Sequence, residues 1–299
     1  MAQQFIDIGA NLTDSNYQGV YHGRTLHQAD LDIVLKRAEK HGLSHIIITS
    51  GCLRDLKEAI QLIEKYQPTT HIKLSTTVGV HPTRTNELKT VGYFEEMMDI
   101  CEKNMEKICA IGELGLDYDR LHFSDKATQF AGLRKHKILH EKYPHLPFFF
   151  HCRSAWEDFK TICEEIGFVN CKGVVHCYDG DAETIVEILK LGWDVGVTGL
   201  SLQTEDQLQV MRTIPLDRLH IETDCPYCSL KRNSAGTKFL KNKDYGVKEE
   251  KYDPTRVVAR RNEPCLIFEI ATIMAKIMGI DLFTLTTTVH ANSMKMFFP

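Results

Sequence analysis

Short apolar runs alternate with longer amphipathic stretches along the whole chain. Strand-like runs fall at 5–11, 45–50, 73–80, 108–113, 147–151, 173–177, 193–199 and 219–224. Stretches with apolar residues at helical spacing fill the intervals, near 26–41, 53–66, 92–105, 125–142, 155–166, 182–191 and 204–213. Two further helices are predicted at 263–278 and 281–296. Several strands are apolar throughout, such as Ile46-Ile47-Ile48 and Phe148-Phe149-Phe150. Strands covered on both faces have that composition, which is the condition of a parallel sheet between helices. Gly42, Gly167 and Gly192 stand where a helix stops and a strand begins. Asn262-Glu263-Pro264 reads as an N-cap followed by helix-starting residues. Eight strand–helix units predict an α/β fold, a TIM-like (β/α)8 barrel with an extra C-terminal helix. An open doubly wound sheet is the competing arrangement.

Four of these strands end in a polar residue that packing does not explain. Glu113 closes Ile-Cys-Ala-Ile-Gly-Glu, His151 closes Pro-Phe-Phe-Phe-His, His176 closes Gly-Val-Val-His and Asp224 closes Leu-His-Ile-Glu-Thr-Asp. A parallel barrel points such strand ends into one shared bowl, and this mix of carboxylate and imidazole suits a divalent ion. Each residue also has a plain structural reading: a paired loop acid, two core histidines, a capping aspartate. The joint pattern favours a metal centre. Asp224 can further take a proton from an attacking water. Arg153, two residues after His151, is placed to meet a phosphate or to form a surface ion pair. His81, ending the third strand, is either a contact for a substrate oxygen or a turn histidine. Asp7 on the first strand is a further candidate ligand. Asp117, Asp119 and Arg120 are candidates to support Glu113. Cys225-Pro-Tyr-Cys228 has the spacing of a redox dithiol, but its place late in a long alternating chain favours structural thiols beside the rim.

Composition narrows the classes. With 43% hydrophobic and 25% charged residues the chain is that of a soluble globular protein, predicted as one barrel domain over 1–299. No apolar run is long enough for a bilayer. The N-terminal Met-Ala-Gln-Gln-Phe-Ile-Asp has no basic-then-apolar pattern of a secretory signal. These features predict an intracellular protein, nuclear or cytoplasmic, with no membrane association and no obligate protein partner. The ten scattered cysteines then read as reduced. A net charge of −4 argues against a wholly cationic nucleic-acid binder. The stretch 229–262 is different, with ten Lys or Arg against four Asp or Glu. It is a basic loop insertion, too long for an ordinary connection, that either contacts a polyanion or is a solvated surface loop.

The segments Phe5-Ile-Asp-Ile-Gly-Ala-Asn-Leu-Thr13, Val78-Gly-Val-His-Pro-Thr83, Ile111-Gly-Glu-Leu-Gly-Leu-Asp117, Phe150-His-Cys-Arg153, Val175-His176, Ile221-Glu-Thr-Asp224 and Arg261-Asn-Glu-Pro264 resemble the TatD-type deoxyribonucleases, almost end to end. The resemblance implies a TIM-like barrel that hydrolyses phosphodiester bonds of DNA, or RNA, with one or two divalent ions, Mg2+, Mn2+ or Zn2+. It implies that Glu113 binds metal and bridges two ions, that His151 and His176 hold one, and that Asp224 holds the other or acts as base. It also suggests 3′-to-5′ exonuclease action. Many relatives begin Asp-x-His-x-His, whereas this chain has Asp7-Ile-Gly9-Ala-Asn11. The departure implies one firmly held ion and a weaker second. Two other readings stay open: hydrolysis of a small phosphoester or amide, and a binding barrel without catalysis.

Overall fold

The computed structural model describes residues 3–241 and 243–299. Eight parallel strands form one sheet in sequence order: β1 (Phe5–Ala10), β2 (Leu43–Ile48), β3 (Lys73–Val78), β4 (Ile108–Asp117), β5 (Phe148–Arg153), β6 (Gly173–Val175), β7 (Asp194–Val197) and β8 (Leu219–Ile221). Just beyond β8, the Asp224 N–H donates to the Gly9 carbonyl at 2.8 Å and the Asn11 N–H donates to the Cys225 carbonyl at 2.7 Å. These bonds bring the last strand back to the first. The result is a nearly closed barrel, and sequential strand order excludes the doubly wound alternative.

Helices α1 (Leu31–Lys40), α2 (Leu53–Tyr66), α3 (Tyr93–Lys103), α4 (Lys126–Lys135), α5 (Lys137–Lys142), α6 (Trp156–Ile166), α7 (Ala182–Lys190) and α8 (Glu205–Met211) fill the connections. Helices α9 (Ile267–Met278) and α10 (Leu282–Phe297) follow β8. The stretch expected as one helix over 125–142 is two. It breaks at His136, whose Nδ1 meets the Gly132 carbonyl at 2.8 Å and whose Nε2 accepts the Val80 N–H at 2.9 Å. Gly42 and Gly167 follow their helices at positive φ (83° and 84°), the left-handed geometry that ends a helix cleanly.

The apolar residues separate into two layers. Side chains alternate along a strand, so Phe148 and Phe150 face the helices while Phe149 faces the barrel axis. Phe148 and Phe150 pack with Phe159 of α6, Phe168 and Trp193. Phe149 joins Ile6, Ile8, Ile47, Cys109, Ala110 and Val174 in a separate interior cluster, together with Met296 and Phe297 of α10. The last helix therefore plugs the barrel floor. Burying each such side chain contributes roughly 1.5–3 kcal/mol.

The basic segment 229–262 spends much of its charge internally. Arg261 is fully buried against Asp30 (2.7 Å) and Glu263 (2.9 Å), a network that also ties the start of α1. Lys238 pairs with Glu205, Lys243 with Glu269 and Arg256 with Asp244. Among the described residues no helix is long and apolar enough to cross a membrane.

Candidate metal-binding active site

The C-terminal ends of the strands open into a cleft of about 430 Å³. The rows of inward side chains that form the apolar floor continue upward into it and change chemistry. Two residues beyond Phe149 on β5 comes His151, and two beyond that Arg153. Two residues beyond Val174 comes His176. Glu222 and Asp224 follow the same spacing after β8.

Glu113 arrives differently. The sequence pattern places it at a strand end, but β4 runs on to Asp117. Gly112 pairs with Phe149 and Leu114 with Phe150, so Glu113 is an extra residue in the ladder. Such a bulge turns its side chain into the bowl. A side chain at Gly112 (φ 155°) would overlap the Phe149 carbonyl, so the bulge requires glycine there.

Three imidazoles surround one carboxylate oxygen. Glu113 Oε1 lies 2.7 Å from His151 Nδ1, 2.8 Å from His176 Nε2 and 3.4 Å from His81 Nε2. All four groups are buried or nearly so. Burial opposes charge on Glu113, but the imidazoles of His81 and His176 and the bonds from His151 and His176 hold its carboxyl well below the usual range. Burial likewise works against protonating His151 and His176, yet the facing acids raise both. His81 is pushed down to about 3, chiefly by burial. Positive charge is thus drawn to the point where the imidazole nitrogens converge.

The far nitrogens meet a second ring of acids. His151 Nε2 lies 3.1 Å from Asp117 Oδ2, which also accepts from Arg120 Nη1 at 2.9 Å. His176 Nδ1 faces Glu222 Oε2 at 3.4 Å, and neither of these buried atoms finds a well-aligned hydrogen-bond partner. Histidines that hold a metal through one nitrogen commonly lean on an acid through the other. The donor set fits a divalent cation on Glu113, His151 and His176. Gly9 has no side chain to offer as a ligand, and a Cβ there would overlap Glu222 Oε2.

Asp224 lines the same cleft from the opposite wall. Its Oδ1 accepts from Asn11 Nδ2 at 2.8 Å and its Oδ2 from the Cys228 thiol at 3.0 Å. Burial pushes its carboxyl up to about 6, and the charge of Glu113 adds to this. The cleft therefore brings together Glu113, His151, His176, Asp224, His81 and Arg153. Arg153 is ion-paired with Asp179 at 3.1 Å. Asp7, expected as a further ligand, points elsewhere. It accepts from the Thr223 N–H at 2.9 Å and the Thr223 hydroxyl at 2.5 Å, fastening β1 to the end of β8. Asp119 is exposed. The two cysteines of Cys225-Pro-Tyr-Cys228 part company: Cys225 is buried in the outer core, and Cys228 lies 3.6 Å from Cys177 across the cleft wall.

Sequence reasoning missed several residues in the cleft and just behind it. Glu222 shares the spacing of Asp224, a signal that was available. Phe123 and Tyr227 carried no signal. Both line the cleft and remain half exposed, at 55% and 53%. Arg84, Arg120 and Arg153 stand among them. A polar groove of about 770 Å³ adjoins, sharing Asn11, Asp55, Arg84 and Tyr227 with the cleft.

A TIM-like barrel with a His/Glu cluster in its C-terminal bowl defines a barrel hydrolase suited to a divalent metal. The chain belongs to the TatD related DNase family, whose model matches residues 6–298. It is 33% identical to a protein named Deoxyribonuclease Tat-D from Schizosaccharomyces pombe, over 98% of this chain and 95% of that one. It is 28% identical to a protein named 3′-5′ ssDNA/RNA exonuclease TatD from Pantoea ananatis, over 97% and 98%. A crystal structure of a hydrolase TatD family protein from Entamoeba histolytica matches with a TM-score of 0.99 and 62% identity, covering 100% of this chain and 99% of that one.

Proposed function

We propose that this protein is a Mg2+- or Mn2+-dependent deoxyribonuclease that trims single-stranded DNA from its 3′ end, inside the cell. The observation that carries this reading is the lining of the cleft: two half-exposed aromatic rings, Phe123 and Tyr227, beside Arg84, Arg120 and Arg153. Unpaired bases stack on aromatic faces, and guanidinium groups meet the phosphates between them. Duplex DNA offers no free base face to such a platform. The names of the relatives from Schizosaccharomyces pombe and Pantoea ananatis support the substrate class. Ten free cysteines support a reducing compartment.

Glu113, His151 and His176 would hold the principal ion, and Asp224 would hold a second, weaker one or work without it. A bound divalent ion offsets charge on the phosphoryl oxygens and acidifies water from a pKa near 16 toward about 7. The remaining steps fall to the chain's own groups. Asp224, raised to about 6, is ionised at neutral pH and accepts the proton of the attacking water. His81 stays neutral; its Nδ1 accepts from the Thr83 N–H, so its Nε2–H donates into the bowl toward a phosphoryl oxygen. Arg153 exchanges Asp179 for the scissile phosphate and gains a better-matched partner. Asp117 and Glu222 keep the two histidines oriented.

The test is cleavage of a labelled single strand and of a small aryl phosphodiester with Mg2+ or Mn2+, in the native protein and in Phe123→Ala. The nuclease reading expects a stepwise ladder of products, none in Glu113→Ala, and a loss in Phe123→Ala confined to the polynucleotide. Equal losses on both substrates would assign the site to small phosphoesters. No cleavage of either would leave a binding barrel.

A further inference from the structure

Beside Asp224 lie two sulfur donors that the hydrolytic reading does not use. Cys177 Sγ and Cys228 Sγ are 3.6 Å apart, and Cys228 Sγ is 3.0 Å from Asp224 Oδ2. One donor atom from each of these three residues lies within 4.8 Å of the other two. They come from different parts of the chain, the loops after β6 and after β8, so local geometry alone does not explain the cluster. All three line the cleft. Two thiolates bound to one tetrahedral ion at about 2.3 Å stand about 3.8 Å apart. The observed sulfur separation is close to that figure and well beyond the roughly 2.05 Å of a disulfide.

The surroundings fit the same ligand. Thiolate sulfur selects borderline and soft ions such as Zn2+ or Cd2+ and takes Mg2+ poorly, so this set is chemically distinct from Glu113, His151 and His176. A dication on two thiolates and a carboxylate carries one net negative charge. The Arg153 guanidinium lines the same cleft as both sulfurs and offers a balancing charge. Thr198 Oγ1, 3.3 Å from Cys177 Sγ, steadies that sulfur.

We propose that Cys177, Cys228 and Asp224 form a thiophilic-metal site whose occupation by Zn2+ takes Asp224 out of the hydrolytic set and shuts the enzyme down. On binding, the two thiols give their protons to solvent and form two metal–sulfur bonds; nothing is oxidised or reduced. The thiophilic site and the hydrolytic step compete for one carboxylate, that of Asp224. The inhibitory half of this proposal rests on the hydrolytic role of Asp224; the binding half does not.

The experiment is a titration of the full-length, metal-stripped protein with Cd2+ in excess Mg2+, following thiolate-to-metal charge-transfer absorption. The expected result is one Cd2+ per chain with two thiolates. Cys228→Ser and Cys177→Ser should each weaken binding by at least about tenfold. Cys152→Ser, another half-buried thiol, should leave it unchanged. Cys228 is partly exposed, so Cys228→Ser is the primary variant, and a thermal melt checks its fold. No charge-transfer band in the native protein, or an undiminished one in Cys228→Ser, would overturn the site. In parallel, Zn2+ is added to Mg2+-supported cleavage, each protein being read against its own zinc-free rate. Half-inhibition should need at least about tenfold more Zn2+ in Cys228→Ser. Identical Zn2+ sensitivity would overturn the inhibitory role. If the native protein cleaves nothing, the nuclease reading fails while the Cd2+ titration still decides the site.

Discussion

The floor and the bowl of this barrel are built from the same strands, and they obey opposite rules. Below, Ile6, Ile8, Ile47, Phe149 and Val174 meet Met296 and Phe297 of the last helix in a dry cluster. Above, two residues further along the same rows, His151 and His176 crowd one oxygen of Glu113. The floor lowers the free energy by removing apolar area from water. The bowl gathers buried charges whose mutual attraction struggles to offset their desolvation. A protein keeps such a cluster where a ligand completes it. The contrast teaches which end of the barrel serves stability and which serves chemistry.

The strongest break in that contrast comes from the floor. Phe297→Ala should cost about 3–5 kcal/mol of stability, read by chemical denaturation, because the plug cannot collapse into the space it leaves. Its cleavage rate per folded molecule should stay within about twofold. Glu113→Ala should strike the chemistry as well. Cleavage should fall by about 100- to 1000-fold, comparable to losing a principal electrostatic contact in a transition state. Its metal-free form should also lose some stability, since the change strips His151 and His176 of their buried partner.

Protons sharpen the comparison. Facing acids raise His151 and His176, whereas burial pushes His136, outside the bowl, down to about 4. His136 is neutral in the fold, accepting the Val80 N–H while its other nitrogen meets the Gly132 carbonyl. Between about 4 and the unfolded value near 6.5, the unfolded chain binds the extra proton. The stabilisation is therefore present above about 6.5 and lost as pH falls toward 4, up to about 3 kcal/mol. Denaturant midpoints across that window should drop in the native protein, and His136→Gln should flatten the drop. The smallest effect belongs to the rim. Phe123→Ala should weaken single-strand binding by about 1–3 kcal/mol, seen in KM rather than kcat.

Much of this was readable before any coordinates. The helix over 53–66 is found at Leu53–Tyr66, and each predicted strand lies within a few residues of an observed one. The reason is physical: apolar rows and glycine stops are local signals that tertiary packing reinforces. Where long-range contact decides, reading failed. Glu113 looks like a strand end, because only the β4–β5 register reveals a bulge at that residue. Asp7 looks like a ligand, but Thr223, 216 positions away, claims its carboxylate. Cys225 and Cys228 look like a pair, yet one faces the core and the other finds Cys177. Phe123 and Tyr227 sit in connections whose sequence says nothing of their exposure. The basic stretch 229–262 reads equally as a contact for a polyanion and as a solvated loop, and its sequence does not show that four of its cations are matched by acids within the fold.

The account turns on one point: the charge cluster at the top of the barrel exists to bind a divalent cation. A crystal of the protein soaked in Mn2+, with an anomalous difference map at the manganese edge, tests it directly. The account predicts the strongest peak between Glu113, His151 and His176, at bonding distance from all three. A fully soaked crystal with no peak there, or with manganese held only by other residues, would contradict it.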